Sequence, residues 1–134
     1  MKKIDSFSFV THTGDYQSWP LKTQLLHHKQ PTQTHLPGYQ LLHQFILATG
    51  EYVLITDWDC PFEEATEVVL LSAAFALTAR HSFSAPYGSF NLEDLQVIDE
   101  TNLKLTFYQN DCRQVTIATK KTGLLGSRIK VVQL

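Results

Sequence analysis

The 134-residue chain is 43% hydrophobic, 11% aromatic and 18% charged. That is enough apolar material for one domain, 1–134, with its own core, and too little charge for a disordered chain. A net charge of −2 gives no general attraction to nucleic acid or to an anionic membrane. No apolar run approaches the roughly 20 residues of a spanning helix, so neither class of partner is expected.

Met1-Lys2-Lys3 opens like a signal peptide, but Asp5, Ser6 and Ser8 interrupt the apolar core that such a segment needs. A cytoplasmic chain is expected. Cys60 and Cys112 lack C-x-x-C spacing and read as free thiols of a reducing compartment.

Phe7 and Phe9 alternate with Ser6 and Ser8, which predicts a short strand. Residues 14–38 are broken by Gly14, Pro20, Pro31, Pro37 and Gly38. Within them Leu21–Lys29 is compatible with one short helix, with Pro20 suited to the first turn and Ser18 to its cap. Its apolar face would be Leu21, Leu25 and His28. Tyr39–Leu47 and Glu51–Trp58 read as a hairpin around Ala48-Thr49-Gly50. Leu41, His43, Phe45 and Leu47 would share one face, with Leu42 and Ile46 on the other. Strands apolar on both faces belong between layers or in a closed barrel.

Residues 61–83 admit two readings. Pro61, Glu63, Glu64 and five alanines would suit a helix over 61–80 and an α+β fold. The β-branched run Thr66–Leu71 and the alternation through Phe75, Leu77, Ala79 and Phe83 favour two strands instead. Ser72-Ala73-Ala74 is a poor turn between them, but neighbouring antiparallel elements support pairing.

Phe90–Ile98 reads as a strand whose alternation slips at Glu93-Asp94, where a bulge is expected. Leu103, Leu105 and Phe107 alternate with polar residues and should face inward. Gln109–Cys112 has turn chemistry before Val115 and Ile117. Gly123 and Gly126 bracket a loop before the strand Arg128–Val132. The expected fold is thus mainly β: an antiparallel meander forming a curled sheet or barrel.

Asp57, Asp59, Glu63 and Glu64 form the most distinctive stretch. Alternation puts Asp57 and Asp59 on one face and Trp58 in the core. Such carboxylates serve as acid and base or hold a hard cation, and Asp57, Asp59 and Glu63 are the candidate catalytic residues. The simpler expectation is a solvated acidic strand end. No calcium-loop glycine accompanies them. His12, His27, His28, His35 and His43 lack zinc-ligand spacing, so no metal is expected. His43 reads as semi-buried. No P-loop, G-x-G-x-x-G or nucleophile elbow occurs, and no cofactor is expected. Ala85–Ser89 reads as a turn. Lys120, Lys121, Arg128 and Lys130 read as a solvated hairpin end.

By elimination the expected function is that of a small soluble, non-enzymatic β domain acting through protein–protein binding. The alternatives are a small apolar-ligand-binding β-barrel, or a carboxylate-based enzyme centred on residues 57–64.

Overall fold

The computed structural model describes residues 1–59, 64–85, 89–119 and 127–134. Cys60, Glu63, Lys120, Lys121, Gly123, Gly126, most of the Ala85–Ser89 turn and the start of the alternative helix lie outside them. The chain is mainly β and antiparallel. Among the described residues there is no α-helix, only two three-residue 3-10 turns, at Tyr16–Ser18 and Tyr108–Asn110. No helix among them is long and apolar enough to cross a membrane.

Among the described residues twelve strands run in chain order: β1 Lys2–Lys3, β2 Phe7–Phe9, β3 Lys22–His27, β4 Gln30–Pro37, β5 Gln40–Ile46 and β6 Tyr52–Asp57. Then follow β7 Thr66–Leu71, β8 Leu77–Phe83, β9 Asp94–Val97, β10 Asn102–Phe107, β11 Asp111–Ile117 and β12 Ile129–Gln133. They form three sheets, ordered β1-β5-β6-β7-β8, β12-β11-β10-β9 and β2-β3-β4. None closes into a barrel.

The five-stranded sheet is the middle of three layers. Val53, Ile55, Val68 and Leu70 pack on Leu103, Leu105, Phe107, Val115 and Ile117 of the four-stranded meander. Leu54, Val69 and Leu71 point the other way, onto Phe7, Leu25 and Leu36 of the three-stranded sheet. All six residues of β7 are buried. This accounts for strands that are apolar on both faces: each face meets its own sheet. Residues 66–71 and 77–83 are therefore strands, and the helical alternative over 61–80 fails. The weak Ser72–Ala76 turn is held by the Ser72 hydroxyl, which accepts the N–H groups of Ala74 and Ala76 at 3.2 and 3.1 Å. Phe75 adopts a positive φ of 70° and packs its ring against Phe7, Tyr52 and His27.

Three expectations are corrected. Leu21–Lys29 is no helix. Thr23 and Leu25 are buried at period two in β3, while Leu21 is 76% exposed. β3 pairs with β2 and β4. His28 and Lys29 both take positive φ, the geometry of a two-residue hairpin loop. Secondly, the β5–β6 register shifts between Leu41 and His43, so Leu42 is an inserted residue. Leu42 consequently joins Phe45 and Leu47 in one core, and Leu41 faces the other. Thirdly, Glu93-Asp94 is a strand start, not a bulge: β9 pairs with β10 without a shift. Phe90 and Leu92 still pack on the core.

An ion pair ties the middle sheet to the meander. Glu51, beside the β5–β6 turn, accepts two guanidinium bonds from Arg128, which precedes β12. Both side chains are mostly buried, so Arg128 is not the solvated hairpin-end residue expected, and its bonds hold the Glu51 carboxyl below its usual range.

Candidate functional site

Asp57 ends β6 half-buried, and Asp59 lies exposed just beyond it. Asp59 adopts a positive φ of 47°, and its N–H donates to Asp57 Oδ1 at 3.1 Å. The chain thus turns out of the sheet just where simple alternation would have put the two carboxylates on one face. Burial raises the Asp57 carboxyl above its usual 3.8, and the Asp59 charge adds to that, against the Asp59 N–H bond. Glu63 lies outside the described residues. Among the described residues no three His, Cys, Asp or Glu side chains are placed to share a cation.

The raised Asp57 sets a sign. Its folded form holds the proton more tightly than the unfolded chain, so stability falls as pH rises above 3.8. Asp57→Asn, which keeps an oxygen for the Asp59 N–H, is expected to be neutral near pH 3. At pH 7 it should gain about 0.5 kcal/mol, within the usual range of surface substitutions. Urea midpoints at both pH values check this; a loss at pH 7 would show that ionised Asp57 supports the fold.

Trp58 turns to the opposite face, as expected, and is 9% exposed. Its indole N–H leads to a group that the motifs did not flag. Glu67, in the apolar strand β7, is 2% exposed. Glu67 Oε1 accepts the Trp58 indole at 3.3 Å, Ser82 Oγ at 2.9 Å and Arg80 Nη2 at 3.1 Å. Oε2 accepts Arg80 Nε at 3.2 Å. β8 brings these partners in because Ser82 stands opposite Glu67 and Arg80 opposite Val69, so both share the Glu67 face. One signal was available: a lone carboxylate in the run Thr66–Leu71, followed in the next strand by Arg80 and Ser82 at spacing two.

Beside Trp58 sits an aromatic corner. Tyr39 packs edge-on against Trp58, Trp19, Tyr16 and His12, and His12 stacks on Trp19. Thr23 Oγ1 donates its one proton to the Gly38 carbonyl at 2.6 Å. It can therefore only accept from His12 Nε2 at 2.8 Å, which fixes the hydrogen on that nitrogen. These contacts anchor residues 12–19 to the β4–β5 corner. His43 is half-buried, as expected, and its ring lies parallel to Phe45. Burial and Lys3 push its pKa down. Cys112 is a free thiol beside the Thr106 hydroxyl.

The Arg80–Ser82 segment also forms a sheet edge. Sheet edges expose unpaired N–H and C=O groups that attract other chains, and most of the other edges here are shortened or blocked. β1 has two residues and β9 four. The Gln44 carboxamide closes β2, accepting the Phe7 N–H at 2.8 Å and donating to the Phe7 carbonyl at 3.0 Å. β4 contains Pro31 and Pro37, which have no N–H. β12 has five residues. β8 has seven and no proline, and among the described residues nothing pairs with its outer side. A shift between Leu70 and Leu71 leaves its stretch from Ala79 to Phe83 in regular register. Comparison with protein families, with curated proteins and with solved structures yields no match.

Proposed function

We propose that the protein is a non-enzymatic binding domain that takes an extended segment of another protein onto the outer edge of β8. The observation that carries this is the β8 edge itself: among the described residues it is proline-free and unpaired on its outer side, and it presents Arg80 held by the buried Glu67, whereas β1 and β9 are shorter, β2 is clamped, β4 carries proline and the five-residue β12 has no such anchor. Strand addition gains main-chain hydrogen bonds along the edge and reads side chains at alternate positions. The Glu67 network supports it by fixing Arg80 and Ser82 on a rigid support, so little order is lost on docking. The barrel alternative has less behind it, because sheet packing occupies both faces of β6 and β7. The acid–base alternative rests on the raised Asp57 alone.

A displayed library of random decapeptides, panned against the full chain, tests the proposal. Recovered peptides should slow amide hydrogen exchange from Leu77 to Phe83 and leave β4, β9 and β12 unchanged. Protection of a different edge, or unchanged exchange in β8 with every recovered peptide, would sink it.

A further inference from the structure

The partner's chemistry follows from Arg80, given the docking role proposed for β8. A guanidinium has five N–H donors. Glu67 takes Nε–H and one bond from Nη2, and Nη1 has no partner among the described residues. The Arg80 side chain is 42% exposed although its carboxylate partner is buried. The remaining donors are thus held in a fixed plane beside the open edge. In an antiparallel pair the residue opposite Arg80 lands on the same face, about 5 Å away between Cβ atoms. The other face of β8 carries Ala79, packed against the main core, and His81, its ring against Phe83. Burial keeps the His81 imidazole toward its neutral form, with Arg113 acting the same way and Glu67 against it. On that face β8 itself carries no charged side chain, and the nearby Arg113 is already paired with Asp111.

We infer that β8 receives an extended acidic segment, with an Asp or Glu carboxylate opposite Arg80 and apolar residues at the flanking positions. The carboxylate accepts from the Arg80 donors that Glu67 leaves unused, a charge-assisted bond of fixed direction. A second copy of this chain fits poorly, because antiparallel docking about the middle of β8 would set Arg80 against Arg80, a like-charge pair that costs stability.

Three blocked nonapeptides of alternating serine and valine, identical except for a central glutamate, glutamine or lysine, test this with the full chain. At low salt the glutamate peptide should bind about three- to fivefold more tightly than the glutamine peptide, the size of an exposed charge pair. The lysine peptide should be weakest. The preference should fade at molar salt, where charges are screened within about 3 Å. The double variant Glu67→Gln/Arg80→Gln, which keeps a hydrogen-bonding pair without charge, should bind all three alike. Equal slowing of β8 amide exchange by all three peptides at low salt would overturn the acidic preference and leave the docking role standing. So would a preference that survives in the double variant. If no peptide slows exchange in β8, the docking role fails and the acidic preference with it.

Discussion

Gly38→Ala is expected to destabilise the fold by about 4 kcal/mol, adding backbone strain to steric overlap. Gly38 is the buried corner where the chain leaves β4 for β5 and so passes from the outer sheet to the middle one. Its φ is +106°, a conformation that L side chains rarely adopt. A Cβ there would lie 2.6 Å from Thr56 Oγ1, 2.9 Å from Thr56 Cβ and 2.9 Å from the Asp57 carbonyl oxygen. The last atom is backbone in β6 and cannot swing aside. Relief would require moving the corner, and with it the Thr23 bond to the Gly38 carbonyl and the Thr56 bond to the Pro37 carbonyl. Gly14→Ala is the control. Its φ is also positive, at +82°, but the nearest atom to its Cβ is Ser18 Oγ at 3.9 Å, so only strain remains, about 1 kcal/mol. Urea unfolding of both variants measures the difference. Equal midpoints would mean that the corner adjusts freely.

The same corner marks where sequence patterns stop being sufficient. Local alternation was readable wherever a strand buries one face: Leu103, Leu105 and Phe107 are fully buried as expected, and β10–β11 keeps its register throughout. The two-sided apolar pattern of Tyr39–Leu47, most of which forms β5, pointed to an interlayer position or a barrel, and packing decided between them. Periodicity misled at β3, where Leu21, Leu25 and His28 happen to fall at helical spacing. What makes β3 a strand is pairing on both sides, with β4 through the His28–Lys29 loop and with β2 earlier in the chain; neither loop residue is the glycine or asparagine that announces such a turn. Leu41 and Leu42 exchanged faces because one inserted residue reverses parity, and no local pattern announces it. The acidic stretch drew attention through its composition, whereas Glu67 stood out only once the register of β8 placed Arg80 and Ser82 beside it. Uncovered edges depend on strand order, which alternation does not encode.

Arg80→Ala is expected to cost about 3 kcal/mol, at the low end for breaking a buried ion pair because water reaches the arginine. Its removal takes two hydrogen bonds from Glu67 and leaves the carboxylate inside the sheet with only Ser82 and the Trp58 indole. A buried charge with incomplete partners retains most of its desolvation cost. The reverse deletion is milder. Glu67→Leu removes the buried member, and the exposed Arg80 side chain turns its head to water. The remaining loss is then the Ser82 and Trp58 bonds, about 1 kcal/mol each, offset in part by the added apolar packing. The double variant Glu67→Leu/Arg80→Leu should approach wild-type stability, since well-packed apolar pairs replace buried ion pairs at little net cost. Urea unfolding followed by tryptophan emission closes the cycle, with Trp58 as an internal probe of the carboxylate. The decisive quantity is the asymmetry between the single variants. If Glu67→Leu costs more than Arg80→Ala, the carboxylate is a net contributor to stability. If the arginine deletion costs more, Glu67 holds β8 rigid at the expense of a more stable apolar sheet, as expected of an edge kept ordered for a partner.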